Sequence, residues 1–230
     1  MKLNCDMGEG FGTWEMGADA EVMPYVDMSN IACGFHASDP QIMNKTISLA
    51  VENGVSIGAH PSYPDLLGFG RKEMKFSPAE LVNITLYQIG ALQALCQAQG
   101  ADVEYVKPHG ALYNVMMRDV DTYTALINAV SLLDAEIPLM IMATPENQVH
   151  IDIAEKFNVK LLFEAFCDRA YTDTGSLQPR NEAGSVFDNV ELILKQAKAL
   201  IFDKKVTTCT GKTLDIACLL YTSPSPRDRG

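Results

Sequence analysis

SNIACGFHASDPQIMNKTISLAVENGVSIGAH, residues 29–60, holds a strand, a capped helix and a second strand. SNIACGF is an apolar run that leads into His36, and VSIGAH is another that ends on His60. Between them Ser38 or Asp39 can serve as N-cap, Pro40 takes the first helical position, and Gly54 follows the last helical residue. These signals bound a helix at both ends. Asp39 also makes an H-x-x-D with His36, although capping alone is a sufficient role for it. Both histidines therefore stand at the C-terminal ends of strands. In a barrel of parallel strands those ends share one rim, where such folds build their sites.

The pattern repeats on either side. KLNCD ends on Asp6, and Glu9 follows in the Gly-rich GEGFG; VEYVKPH carries Lys107 and His109; VKLLFEAFCD carries Glu164 and Asp168, with Arg169 next. Ser77-Pro78-Ala79-Glu80 is a capping box that opens a helix running to about Gln99, where Gly100 stops it. Further helices are predicted over 119–133, 145–157 and 188–202. PLMIMAT is predicted as the fifth strand, and VTTCTGKTLDIA as a seventh strand or a hairpin. Six or seven βα units with near-continuous apolar strands predict an α/β fold, a parallel sheet covered by helices. An open doubly wound sheet is the alternative. It concentrates its site at one switch point, so polar residues at nearly every strand end favour closure into a barrel.

With 230 residues, 47% of them hydrophobic, the chain has ample material for one large domain, and no linker-like segment interrupts residues 1–217. The formal net charge of −11 argues against nucleic acid or an anionic membrane surface as partner. Six cysteines show neither a CxxC pair nor a disulfide framework, and no run reaches the roughly 18 apolar residues of a membrane span. A reducing cytoplasm is the expected location. GxxxxGK[ST], HExxH and GxSxG are all absent, so no phosphate loop, zincin helix or nucleophile elbow is expected.

Several residues at the expected rim suit chemistry. Carboxylates such as Asp6 at a strand end serve as general bases or metal ligands. The long loop HPSYPDLLGFGR after the third strand holds Asp65 and Arg71, whose guanidinium fork matches a carboxylate or phosphate. Lys107 and His109 are two apart, hence on one face if extended, and an inward lysine is costly unless it meets an anion. Cys33 lies three residues before His36, on the opposite face of an extended strand, which argues against a Cys–His metal pair.

NCDMGEGFG, ACGFHASDP, GAHPSYPDLLGFGR, KPHGALYN and FEAFCDRAY with LQPR, taken in this order, resemble the LamB/YcsF family from Leu3 to about Ala217. The resemblance implies a seven-stranded parallel (β/α) barrel related to polysaccharide deacetylases. It also implies the A subunit of an ATP-hydrolysing 5-oxoprolinase, which works with partner subunits B and C to open the lactam of 5-oxoproline to L-glutamate. Carried over, it implies a catalytic group of Asp6, His36, His60, His109 and Asp168. A substrate-binding group of Glu9, Asp65, Arg71, Lys107, Glu164, Arg169 and Arg180 surrounds it. ATP with Mg2+ is the implied cofactor, and the deacetylase relationship leaves room for a divalent metal at the barrel mouth. Two other readings stay open: a metal-dependent amide or acetyl hydrolase, and a substrate-binding subunit without chemistry of its own. CLLYTSPSPRD, residues 218–228, reads as the translation of a common transposase sequencing adaptor. The barrel domain is therefore expected to span 1–217, truncated at its C-terminus, with a non-native tail over 218–230 in place of the family's Cys-Val-His-Gly-Asp segment.

Overall fold

The structure, a computed structural model, describes residues 2–133, 136–216 and 220–222. Six parallel strands curl into one sheet in sequence order: β1 (Lys2–Met7), β2 (Met28–Ala32), β3 (Ser56–His60), β4 (Tyr105–Val106), β5 (Leu139–Met142) and β6 (Leu161–Phe166). The helices are α1 (Asp19–Val22), α2 (Pro40–Asn53), α3 (Pro78–Ala98), α4 (Gly110–Met116), α5 (Val120–Ser131), α6 (Gln148–Lys156) and α7 (Val190–Lys198). Two short strands, β7 (Lys205–Thr207) and β8 (Thr213–Asp215), form an antiparallel hairpin apart from the sheet. Of the two possibilities for VTTCTGKTLDIA, the hairpin is the one present. The backbone of β9 (Leu220–Thr222) pairs in parallel with both β1 and β6, joining the two edges of the sheet. The rest of the adaptor-like tail lies outside the described residues.

β2 and β5 are buried along their whole length, and strand side chains alternate between the helix layer and the interior of the curled sheet. Cys5, Met7, Ile31 and Ile57 belong to the main core beneath the helices. On the other parity, Met28, Tyr105 and Met140 form an apolar plug inside the curl, with Leu162 packed against it. Gly58 is required there, because a Cβ on it would come within 2.1 Å of the Tyr105 ring. The same parity carries Asn4 and Asp6 on β1, Asn30 on β2, His60 on β3 and Glu164 on β6 to the interior above the plug.

The sequence signals for α2 and α3 are realised in full. Asp39 caps α2 by accepting from the Gln41 and Ile42 amides, Gly54 ends it at φ +67°, and α3 opens with the complete Ser77/Glu80 box. Asp39 Oδ2 also accepts from the Gly12 amide at 2.8 Å, fastening the Gly-rich loop after β1 to the start of α2. Asp39→Ala is expected to lower unfolding stability by about 1–2 kcal/mol, read by urea denaturation, because it removes a cap that three amides share. These hydrogen bonds hold the Asp39 carboxyl below its ordinary value. Its contribution is therefore present above the unfolded carboxylate range and lost as pH falls through the lower, folded value.

Three expectations shift. The 119–133 helix is α5, but α4 precedes it unannounced: seven residues with no side-chain cap give too weak a signal to read. The 145–157 helix starts only at Gln148. Thr144 Oγ1 bonds Asn147 Oδ1 and accepts from the Glu146 amide, holding that stretch in a turn. The 188–202 helix is α7 only as far as Lys198, and Ala199–Asp203 widens into a π turn.

Candidate active site

The C-terminal strand ends surround a cavity of about 850 Å³. Asp6, Glu9, His60, Arg71, Lys107, His109, Arg169 and Arg180 line it. His36 and Glu164 are buried behind the lining, His36 stacked on His109 at 3.8 Å between ring centroids and Glu164 against Lys107. Asp65 and Asp168 do not line it. The Asp65 carboxylate accepts from the Gly68 and Lys72 amides, so it organises the loop after β3. Asp168 is buried, and its backbone carbonyl accepts from the Phe187 amide. Arg169, although at the wall, donates from Nε to the Ser185 carbonyl and from Nη2 to the Gln178 carbonyl. That ties together the loop that carries Arg180.

Lys107 is the centre of a buried network. Its Nζ lies 3.1 Å from Glu164 Oε2 and 3.3 Å from Asp6 Oδ1, and it donates to Asn4 Oδ1 at 3.0 Å. Asn30 Nδ2 donates to both Asn4 Oδ1 and Asp6 Oδ1, Tyr105 OH donates to Asn30 Oδ1, and Asn4 Nδ2 donates to Glu164 Oε2. Burial on its own would push the Lys107 ammonium down, but the Asp6 and Glu164 charges outweigh it and lift its pKa to about 12. Burial likewise raises the Asp6 carboxyl, yet His60, whenever its ring is protonated, and the Lys107 ammonium hold it well below the usual carboxylate range. At neutral pH the site thus contains a fixed ammonium and an ionised Asp6. The Asp6 side chain keeps 20% exposure toward the cavity, and its Oδ2 is 3.4 Å from His60 Nε2.

The sequence reading missed Asn4, Asn30 and Tyr105. Each carried a signal: Asn4 is two residues before Asp6, Tyr105 two before Lys107, and Asn30 interrupts an apolar strand, so all three share the parity of the site.

The imidazoles form a second group. His60 Nδ1 donates to the Lys107 carbonyl at 2.6 Å, and His109 Nε2 donates to the Phe69 carbonyl at 3.0 Å. Burial, reinforced by His60 next to it, holds the His109 imidazole well below its ordinary pKa, hence neutral. Gly70 (φ +65°) makes this packing possible: a Cβ there would stand 2.2 Å from Ser62 Oγ and 2.9 Å from both His109 Cδ2 and His36 Cβ. Glu9, His36, His60 and His109 each offer one donor atom within 4.8 Å of the others, a group able to hold a metal ion.

A curled parallel βα sheet with ionisable groups gathered at its C-terminal strand ends is the architecture of an α/β enzyme. The LamB/YcsF family model matches residues 1–219. The chain is 53% identical over 216 residues to the A subunit of 5-oxoprolinase from Vibrio cholerae serotype O1, covering 94% of this chain and 87% of that protein. It is 50% identical over 212 residues to the protein of the same name from Pseudomonas fluorescens, covering 92% and 85%. The crystal structure of the lactam utilization protein from Thermus thermophilus superposes with a TM-score of 0.90 at 39% identity, over 96% of this chain and 89% of that one. The chain belongs to the LamB/YcsF family.

Proposed function

We propose that this chain is the A subunit of an ATP-dependent 5-oxoprolinase, acting in the cytoplasm with subunits B and C to open 5-oxoproline to L-glutamate. In this reading the curled sheet is a seven-stranded βα barrel related to polysaccharide deacetylases. The similarity to proteins named as the A subunit of 5-oxoprolinase supports it, and the observation that carries it is the Asp6–Lys107 pair at the inner end of the cavity. A lactam is a resonance-stabilised amide, and opening it needs an ionised base, a cation for the developing charge and an anion-binding wall for the substrate carboxylate.

Asp6 Oδ2 takes the proton from the attacking water while Asn30 and Lys107 hold Oδ1. The depressed pKa keeps Asp6 ionised at neutral pH, at some cost in basicity. Lys107 stabilises negative charge on the reacting carbonyl, and Arg71 and Arg180 at the wall receive the substrate carboxylate. When bound, ATP with Mg2+ would supply the driving force by phosphorylating the lactam oxygen and releasing ADP. Once water has added, the ring C–N bond would break with a proton passed to its nitrogen, and a second water would hydrolyse the resulting acyl phosphate to L-glutamate and phosphate. This sequence has no phosphate loop to hold the nucleotide, and no step on ATP is assigned to its residues.

The test is ATP-dependent formation of glutamate from 5-oxoproline by the three subunits together. Turnover that disappears when this chain is omitted is the expected result. Undiminished turnover without it, or 5-oxoproline binding with no contribution to turnover, overturns the reading.

A further inference from the structure

We infer that Glu9, His36, His60 and His109 form a site for one divalent transition-metal ion of the zinc type, seated between the His60 and His109 rings. The inference goes beyond the 5-oxoprolinase reading and does not rest on it.

Backbone carbonyls fix the tautomers of two of the rings. His60 Nδ1 meets the Lys107 carbonyl and His109 Nε2 meets the Phe69 carbonyl. A carbonyl oxygen only accepts, so each of these nitrogens carries its ring's hydrogen. In the neutral rings the lone pairs then lie on His60 Nε2 and His109 Nδ1, and those two atoms face each other at 2.9 Å. Two bare lone pairs at that distance repel, and a cation between them turns the repulsion into binding. Handing the outer ring N–H to a carbonyl is also how histidine ligands are usually oriented toward a metal. Both rings do this from rigid positions, one at the end of β3 and the other at the start of α4.

The remaining donors complete the set. Glu9 Oε1 lies 3.8 Å from His109 Nδ1 and 3.9 Å from His36 Nε2. Four donors held about 2.1 Å from one ion in a tetrahedron are about 3.4 Å apart. Three of the six donor separations, 2.9, 3.8 and 3.9 Å, bracket that spacing, and the other three stay within 4.8 Å. Three imidazoles and one carboxylate suit a borderline metal such as zinc, whereas magnesium and calcium demand oxygen. The charge balance agrees: Lys107 pairs with Asp6 and Glu164, Glu9 faces two imidazoles, and Asp6 Oδ2 borders the site 3.4 Å from His60 Nε2. Glu9, His60 and His109 line the cavity, so a bound ion would be reachable from it.

The experiment strips the full chain with a chelator and titrates it with Zn2+ by calorimetry and with Co2+ by visible absorption. Expected are one ion per chain, the intense bands of four-coordinate Co2+, and a rise in thermal midpoint on loading. Glu9→Gln and His60→Gln should each weaken binding by more than about 100-fold, since changes outside the ligand shell alone cost about 10–100-fold. If a variant fails to fold, X-ray absorption at the zinc edge of the loaded wild type decides, with three imidazole donors expected. Absence of stoichiometric binding by the wild type overturns the inference. So does binding unchanged in both variants, or nitrogen NMR showing a proton shared between His60 and His109 in the presence of excess zinc.

Discussion

Lys107→Met is expected to lower the unfolding free energy by about 3–5 kcal/mol and to abolish turnover of the assembled enzyme. Lys107 is 3% exposed, Glu164 fully buried, and the ammonium is within 3.3 Å of both the Glu164 and Asp6 carboxylates. Methionine approximates the aliphatic stem but leaves two carboxylates facing each other without their cation, and the Asn4 carbonyl without one of its donors. Such a site must take up protons or water, and either response costs stability. At about 2–4 °C per kcal/mol for a chain of this size, the thermal midpoint should drop by roughly 10 °C. Urea denaturation with an unchanged m-value is the direct measurement. Adding Glu164→Gln should recover part of the loss, because it removes one uncompensated charge, and the cycle isolates that pair. A loss below about 1 kcal/mol would mean that the network contributes little to folding.

Asp6→Asn is expected to leave the fold intact and to reduce kcat by about 100- to 10,000-fold, the range of general-base contributions. That corresponds to about 3–5 kcal/mol of barrier at 1.36 kcal/mol per tenfold. Asparagine keeps the volume and an oxygen able to accept from Asn30 and Lys107, so those two hydrogen bonds are retained. What it removes is the ionised oxygen that faces the cavity. The informative quantity is the split between parameters: kcat should collapse while KM changes little, because Arg71 and Arg180 are untouched. Turnover within about threefold of wild type would remove Asp6 from the proton-transfer role.

Much of the fold was legible because its punctuation is local. Asp39, Pro40 and Gly54 bound α2 with groups that act within a few residues, and Ser77 and Glu80 do the same for α3. The parallel strands were legible because burial on both faces demands near-continuous apolar runs. The short α4 and the late start of α6 were not, since each depends on interactions that propensity does not record. Of the candidate site residues, Asp6, His60, Lys107 and His109 were singled out by their strand-end place alone, and all four line the cavity. Asp65 has the right chemistry on the right loop, yet its carboxylate is spent on the turn.

By itself, the sequence determined that ionisable side chains stand at the ends of successive buried strands, because hydrophobic period and caps are short-range properties. Only the tertiary structure decided which of them meet. His60 and His109 are 49 residues apart in the chain, and Lys107 is 103 residues from Asn4. Their contacts arise because the curl of the sheet turns the same parity of every strand toward one interior. The tautomers of the two histidines were decided there too, by the carbonyls of Lys107 and Phe69, and no periodicity in the sequence encodes where a distant backbone oxygen will point.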